Sequence, residues 1–314
     1  MTNFSFDVSV VIVNYKTHRL VADCLNSIKE KSESFSYEII VVDNSQDPTE
    51  FKALTDLQNL YENLKVIDAK SNLGFGRANN LGARCAKGRC LLFLNSDTVL
   101  LNNAVFKMLE MFQKADDIGG VGANLYGKNG RPAHSYVKHK MDVGGLKKTN
   151  SMFAILKRRF GFSDQFNKSR RPIEIKGYIT GACIMIPQTV FWQVGGFDSD
   201  IFMYGEDVLL CTLIRGAGYR LFNTPDAKVL HLEGGSDERV FSDFKIRNYV
   251  DGIRIYAQKA FGRALAKEYL KAEMRIYKRA ALRNRLLRQE TKRLNNSRMA
   301  EAFEKALNNC PNIE

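Results

Sequence analysis

Four short apolar runs, separated by stretches with helical spacing, set the rhythm of the first hundred residues. VSVVIVN (8–14) is continuous and β-branched, as a strand covered on both faces requires. YEIIVVD (37–43), LKVID (64–68) and RCLLFLN (89–95) repeat it. Between them, Leu20, Val21, Cys24 and Ile28 keep helical spacing behind a Thr17 cap. Further helices are expected near 49–60, 76–86 and 102–114. Strand, helix, strand in this order predicts right-handed crossovers and a largely parallel sheet in an α/β fold.

The rhythm fades over residues 125–171, which are rich in Gly and Lys. A mobile insertion is expected there, with a short helix at 151–160. EIKGYITGACIMIP (174–187) predicts two short strands, followed by a helix near 188–194. A second helix near 207–217 leads to two late strands, YRLFN and AKVLHL. From Asp237 onward the pattern is helical. Leu265, Tyr269, Ala272 and Ile276 fall on one face, with Lys267, Lys271, Arg275 and Lys278 opposite. The expected division is an α/β domain over 1–236 and a helical extension over 237–314.

Charge changes this picture more than composition does. The 314 residues carry a net +13, but residues 138–171 hold +8 and residues 241–314 hold +9, so the remaining body is mildly acidic. Nucleic acid, acidic lipid and phosphate-bearing substrates all fit such basic segments. The six cysteines show no CxxC spacing and mostly sit in apolar patterns, which predicts reduced, packed thiols rather than disulfides or zinc. No apolar run approaches the roughly 18 residues that span a bilayer, and MTNFSFD has no signal-peptide shape. A cytoplasmic location is therefore expected.

Candidate chemistry lies where strands end. In an open parallel sheet, ligands bind outside the carboxyl ends of the strands. The second strand ends at Asp43, and the fourth runs through Asn95 and Ser96 into Asp97. A carboxylate there can bind Mg²⁺ or Mn²⁺, which keep waters and share a substrate's phosphates. Asp43 can instead accept hydrogen bonds from a base or ribose. Each alone is equally a loop-capping Asx turn; two together on one sheet favour a ligand site. SNLGFGRANNLG (71–82) has the wrong spacing for a dinucleotide fingerprint, yet its glycines admit close backbone approach and Arg77 adds a cation before a helix. Glu206 and Asp207 open another helix, where acids favour the dipole; one of them could also serve as a general base. His231 ends a strand, placed to reach a metal or phosphate.

The ordered set VSVVIVNY, EIIVVDNS, NLGFGRANN, FLNSDT, ITGACIMI, GGFDSDIFMYGED and HLEGGS, over roughly residues 7–237, resembles glycosyltransferase family 2, nearest its bacterial rhamnosyltransferase-like branch. The resemblance implies a GT-A fold, Rossmann-like with a mostly parallel central sheet and flanking helices, followed by the helical extension. It implies an inverting, metal-dependent transferase with Mg²⁺ or Mn²⁺ as cofactor. Tyr15 and Asp43 would meet the nucleotide's base and ribose, and Asn72, Arg77 and Asn80 the base and pyrophosphate. Asn95-Ser96-Asp97 matches the DXD position, with Asp97 as metal ligand and Asn95 replacing the first acid. Asp207 matches the catalytic base, with Glu206 supporting it, and His231 would assist the metal or diphosphate. Leu209 and Leu213 stand where many relatives carry Asp and Arg.

The expected donor is a nucleotide sugar, first dTDP-rhamnose, then a UDP-hexose or galactofuranose donor. The expected acceptor is a glycan or lipid-linked oligosaccharide of surface-polysaccharide synthesis. Two readings of the basic tail stand side by side. Its helices pack on the catalytic body or on a second subunit in a homodimer, or they rest on the anionic cytoplasmic face of the inner membrane. A nucleic-acid-binding module is disfavoured because the charge avoids the motif-bearing body. A catalytically dead scaffold is disfavoured by the presence of Asp43, Asp97 and Asp207 together.

Overall fold

The computed structural model describes residues 4–149, 165–232 and 240–308. Strands β1 (Phe6–Asn14), β2 (Tyr37–Asp43), β3 (Leu64–Asp68) and β4 (Gly88–Leu94) alternate with helices α1 (His18–Lys31), α2 (Pro48–Gln58) and α3 (Phe75–Cys85). These four strands are parallel, in the order β3-β2-β1-β4, so their carboxyl ends share one edge. Register places Asn14 beside Asp43 and Asp43 beside Asp68. Thr17 stands at the N-cap of α1, but its side chain makes no capping bond. Its hydroxyl is bonded to Asn14 and Ser96 instead.

The sheet then changes direction. After β5 (Thr98–Leu100), α4 (Ala104–Phe112) and β6 (Ile118–Tyr126) come β7 (Tyr136–Val137), α5 (Val143–Thr149), β8 (Ile173–Glu174), β9 (Tyr178–Ile179) and β10 (Cys183–Pro187). Strand β10 inserts antiparallel between β4 and β6. Helices α6 (Gln188–Gln193) and α7 (Glu206–Gly216) precede β11 (Arg220–His231), which runs parallel to β6 and antiparallel to β5. The central sheet is thus parallel through β4 and mixed beyond it.

The two late strands expected from the sequence are one, with a register shift between Thr224 and Lys228. The 174–187 stretch holds the two expected short strands, β9 and β10, and begins on the last residue of β8. Strand β6 has no clear strand signature in the sequence because three of its nine residues are glycine, which lowers strand propensity. The helix expected at 151–160 lies outside the described residues. All five described cysteines are free thiols, and burial pushes Cys24, Cys90, Cys183 and Cys211 up to about 12.

Alternation along β1 explains the layers. Val8, Val10 and Ile12 face α1 and α4 through Leu25, Ile28 and Met108, while Val11 faces the opposite layer with Phe93, Phe191 and Phe197. A third cluster joins Ile201, Val208 and Leu209 of the α7 region to α8 (Asp243–Leu286) and α9 (Glu290–Asn308). Leu209 is fully inside this cluster, so an acid there would be buried among Ile246, Val250 and Tyr256.

Helix α8 breaks at Gly262 (φ 76°), and α9 folds back along its second arm. Tyr269 is buried as the helical spacing predicts, but Leu265, just after the break, is 58% exposed. Phe303 of α9 is fully buried and stacks on Tyr277 at 5.7 Å. Phe303→Ala should lower stability by about 3–5 kcal/mol, read as a fall in the urea midpoint of the whole chain.

Candidate active site

Two adjacent residues of the turn before β10 connect the segments that carry the candidate acids. The Ala182 carbonyl accepts from the Asn95 N–H at 3.0 Å, and the Gly181 N–H donates to Asp207 Oδ2 at 3.0 Å. Asn95, Asp97, Glu206, Asp207 and His231 consequently line one cavity of about 540 Å³ at the sheet edge, with Tyr15 and Asn72.

Asp97 and His231 meet because β5 pairs with β11, setting Thr98 opposite His231. His231 Nε2 lies 3.3 Å from Asp97 Oδ1 and 3.4 Å from the Asn95 amide nitrogen. The Asp97 carbonyl accepts from the Leu232 N–H, tying both chain segments together. Asn95's carbonyl accepts from Thr98 Oγ1, which shapes the turn after β4. One carboxylate and one imidazole, both largely buried and lining a cavity, fit a divalent cation that keeps open positions for further oxygen ligands. Among the described residues no third His, Cys, Asp or Glu joins them.

Glu206 and Asp207 sit at the first turn of α7, whose cap, Gly205, is left-handed (φ 102°). Asp207 Oδ1 also accepts from the Val208 N–H at 2.8 Å. Burial pushes Asp207 up to about 6, restrained by its backbone hydrogen bonds. Burial pushes Glu206 further up, with the neighbouring Asp207 charge adding to it. Glu206 Oε2 has no hydrogen-bond partner. The pair therefore divides into a neutral Glu206 and an Asp207 that ionises first.

Three expected site residues stand away from the cavity lining. Asp43 is buried behind it, its Oδ1 accepting from Asn14 Nδ2 at 3.0 Å and from the Ser45 N–H at 3.1 Å. The Asn80 amide clamps Phe197, donating to its carbonyl at 2.7 Å and accepting from its N–H at 3.0 Å. It therefore braces the loop before Asp207 instead of turning to the cavity. Arg77 is exposed on α3, its charge acting on Asp200.

Other lining residues carried no sequence signal. Asn44, next to Asp43, donates to Asn72 Oδ1 and accepts from the Leu73 N–H, shaping the turn into α3. Gly74 (φ 80°) lets that turn touch the far loop: a Cβ there would fall 2.3 Å from the Phe202 carbonyl oxygen. Met203, Tyr204, Phe244 and Lys245 also line the cavity, the last two from the start of α8. A period-3.6 pattern marks a helix but not which residues of its first turn face a distant cavity.

A model of the family described as "Glycosyl transferase family 2" matches residues 9–195. The O-antigen biosynthesis protein RfbC of Myxococcus xanthus is 24% identical over 230 residues, covering 73% of this chain and 17% of that protein. The N-acetylglucosaminyl-diphospho-decaprenol L-rhamnosyltransferase of Mycobacterium tuberculosis (strain ATCC 25618 / H37Rv) is 38% identical over 76 residues, or 24% of each chain. Each of these two matches thus covers under a quarter of the relative's own length. Among solved structures, the mannosyltransferase PcManGT from Pyrobaculum calidifontis, in complex with GDP-Man and Mn²⁺, superposes with a TM-score of 0.55. Its identity is 16%, over 98% of this chain and 88% of that one, a likeness of GT-A fold.

The loop carrying Glu206 and Asp207 is backed by α8. A Cβ on Gly252 would lie 1.7 Å from the Tyr204 carbonyl oxygen, so backbone meets backbone there. Gly252→Ala should force the 203–207 loop away from α8, costing about 1–3 kcal/mol as overpacking does. A thermal melt and loss of activity together would register it; an unchanged melting temperature would refute the contact. With family and fold in agreement, the chain belongs to glycosyl transferase family 2.

Proposed function

We propose that the protein is an inverting, metal-dependent glycosyltransferase of surface-polysaccharide synthesis, moving a sugar from a nucleotide sugar to a hydroxyl of a glycan or lipid-linked acceptor. The observation that carries this reading is that Asp207 and the Asp97–His231 pair open on the same cavity. The first choice of donor is dTDP-rhamnose, supported by the short rhamnosyltransferase match and the O-antigen relative. A UDP-hexose or galactofuranose donor is second, and a panel of nucleotide sugars with Mg²⁺ and Mn²⁺ separates them by hydrolysis and thermal shift.

The donor lies along the strand ends, near Tyr15 and Asn72, with its diphosphate toward Asp97 and His231. Bound there, Mg²⁺ or Mn²⁺ would supply Lewis-acid charge against the departing nucleoside diphosphate. Asp207 accepts the proton of the acceptor hydroxyl. The acceptor oxygen forms the new bond to the anomeric carbon, and the bond to the phosphate oxygen breaks with its electron pair leaving on the diphosphate. One displacement inverts the anomeric configuration. Gly181 and Val208 N–H groups hold the Asp207 carboxylate in place. Glu206, kept neutral by burial, adds no competing anion.

Asp43 supports the nucleoside side from beneath through Asn14, and Arg77 and Asn80 act outside the cavity wall. No described helix is long and apolar enough to cross a membrane. Leu282 and Leu286, 60% and 77% exposed near the α8–α9 turn, stand among Arg279, Arg283, Arg285 and Arg288. This suits an anionic membrane surface, where each nearby cation adds about 1 kcal/mol.

Asp207→Asn should lower turnover by about 10²–10⁴-fold, the usual worth of a general base, with donor affinity nearly intact by calorimetry. Wild-type turnover in that variant ends the assignment. Because the base acts ionised and its carboxyl is raised to about 6, kcat/KM should rise with pH through about 6 and be lost below it. Asp97→Ala should weaken donor binding in Mn²⁺ and leave the residual EDTA value unchanged. Pelleting with anionic vesicles should be abolished by high salt and absent with neutral lipid; salt-insensitive pelleting, or none on anionic lipid, would count against the surface.

A further inference from the structure

Lys245 opens the helical tail, yet its side chain lines the catalytic cavity. Its N–H donates to the capping hydroxyl of Ser242 at 3.1 Å, and its Nζ stands 4.3 Å from the centroid of the Phe241 ring. No described carboxylate pairs with it. Other lysines of α8 do find acids: Lys259 reaches Asp198 and Asp200, Lys271 reaches Glu268, and Lys278 reaches Glu304. A ring face orients an ammonium without neutralising it. The first turn of a helix also disfavours a cation, because the dipole places positive charge there. Lys245 therefore stands where its own helix repels it, half-buried and without a counter-ion among the described residues.

The same cavity has a deficit of the opposite kind. A diphosphate would enter a space bordered by the carboxylates of Asp97 and Asp207. On the metal side the described ligands are one carboxylate and one imidazole, since Asn95 supplies an amide. Charge on a diphosphate needs cationic partners, and Lys245 is the one lysine or arginine among the described residues lining the cavity.

We infer that Lys245 binds a diphosphate group in the catalytic cavity, a cation delivered by the tail helix to the transfer site. The inference rests on the glycosyltransferase reading and assigns this residue within it. A diphosphate occurs both in a nucleotide-sugar donor and in a lipid-linked acceptor, and the recognition chemistry is the same. The tail thereby contributes to substrate binding as well as to packing.

The test is calorimetric titration of the full chain with UDP, dTDP and farnesyl diphosphate, each with Mn²⁺ and with EDTA, on wild type, Lys245→Met and Lys245→Arg. Loss of a charge-assisted contact should weaken binding about ten- to a hundredfold in Lys245→Met, more in EDTA than in Mn²⁺, with Lys245→Arg retaining most of it. UMP and dTMP, which lack the second phosphate, should lose less, a signature that general loosening would not give. Weakening confined to the nucleoside diphosphates assigns Lys245 to the donor, and weakening confined to farnesyl diphosphate assigns it to the acceptor. Equal affinity of Lys245→Met and wild type for all three overturns the inference while leaving the transferase reading intact. Wild type that binds no nucleoside diphosphate overturns both. Lys245 is partly exposed, and matching melting temperatures will confirm that both variants fold.

Discussion

The peptide groups of Gly181 and Ala182 hold the site together. One gives its N–H to the Asp207 carboxylate, and the other takes the N–H of Asn95 through its carbonyl. They lie at the reversal where β10 enters antiparallel beside β4. Were β10 parallel, its leading turn would lie at the opposite edge of the sheet, and the acids would have no common backbone scaffold. A bond between backbone and carboxylate also fixes position with little conformational freedom to lose, which suits the general-base role proposed for Asp207.

Electrostatics then separates two chemically similar acids. Glu206 and Asp207 are consecutive and both buried, but both side-chain oxygens of Asp207 accept from backbone N–H groups, those of Gly181 and Val208. Glu206 keeps an unpartnered oxygen, so burial and its neighbour's charge push it above Asp207. A carboxyl held neutral beside a carboxylate avoids placing two adjacent negative charges in one cavity. Asp97 pairs with His231 and lines the same cavity as the two acids.

The helical tail is mechanically part of this arrangement. Its first arm touches the 203–207 loop backbone to backbone at Gly252 and Tyr204, and Val208 and Leu209 are buried against its apolar face. Helix α9 then secures the start of α8, where Asn295 accepts from the Phe241 N–H and Arg298 pairs with Asp243 at 2.6 Å. The hairpin core and the cavity wall therefore share α8.

Much of the fold was readable from period alone. Apolar runs at 8–14, 37–43, 64–68 and 89–95 became β1 to β4 within a residue or two, because buried parallel strands must be continuously apolar. Strand-end polarity marked Asp97 and His231, and two adjacent acids at a helix start marked Glu206 and Asp207. What stayed hidden was contact between distant segments. Asn80 looks like a cavity residue in NLGFGRANN, but its amide is committed to Phe197, 117 residues away. Strand β6 was obscured by glycines, and β5 was too short to show a period. Lys245 and Gly252 belong to an amphipathic helix whose pattern reports only that one face is buried. Composition and spacing determined the elements and the chemistry available at their ends, because both follow from local sterics and solvation. Which groups share a cavity was decided by strand order, helix docking and backbone approach, because those depend on packing between segments that the chain keeps far apart.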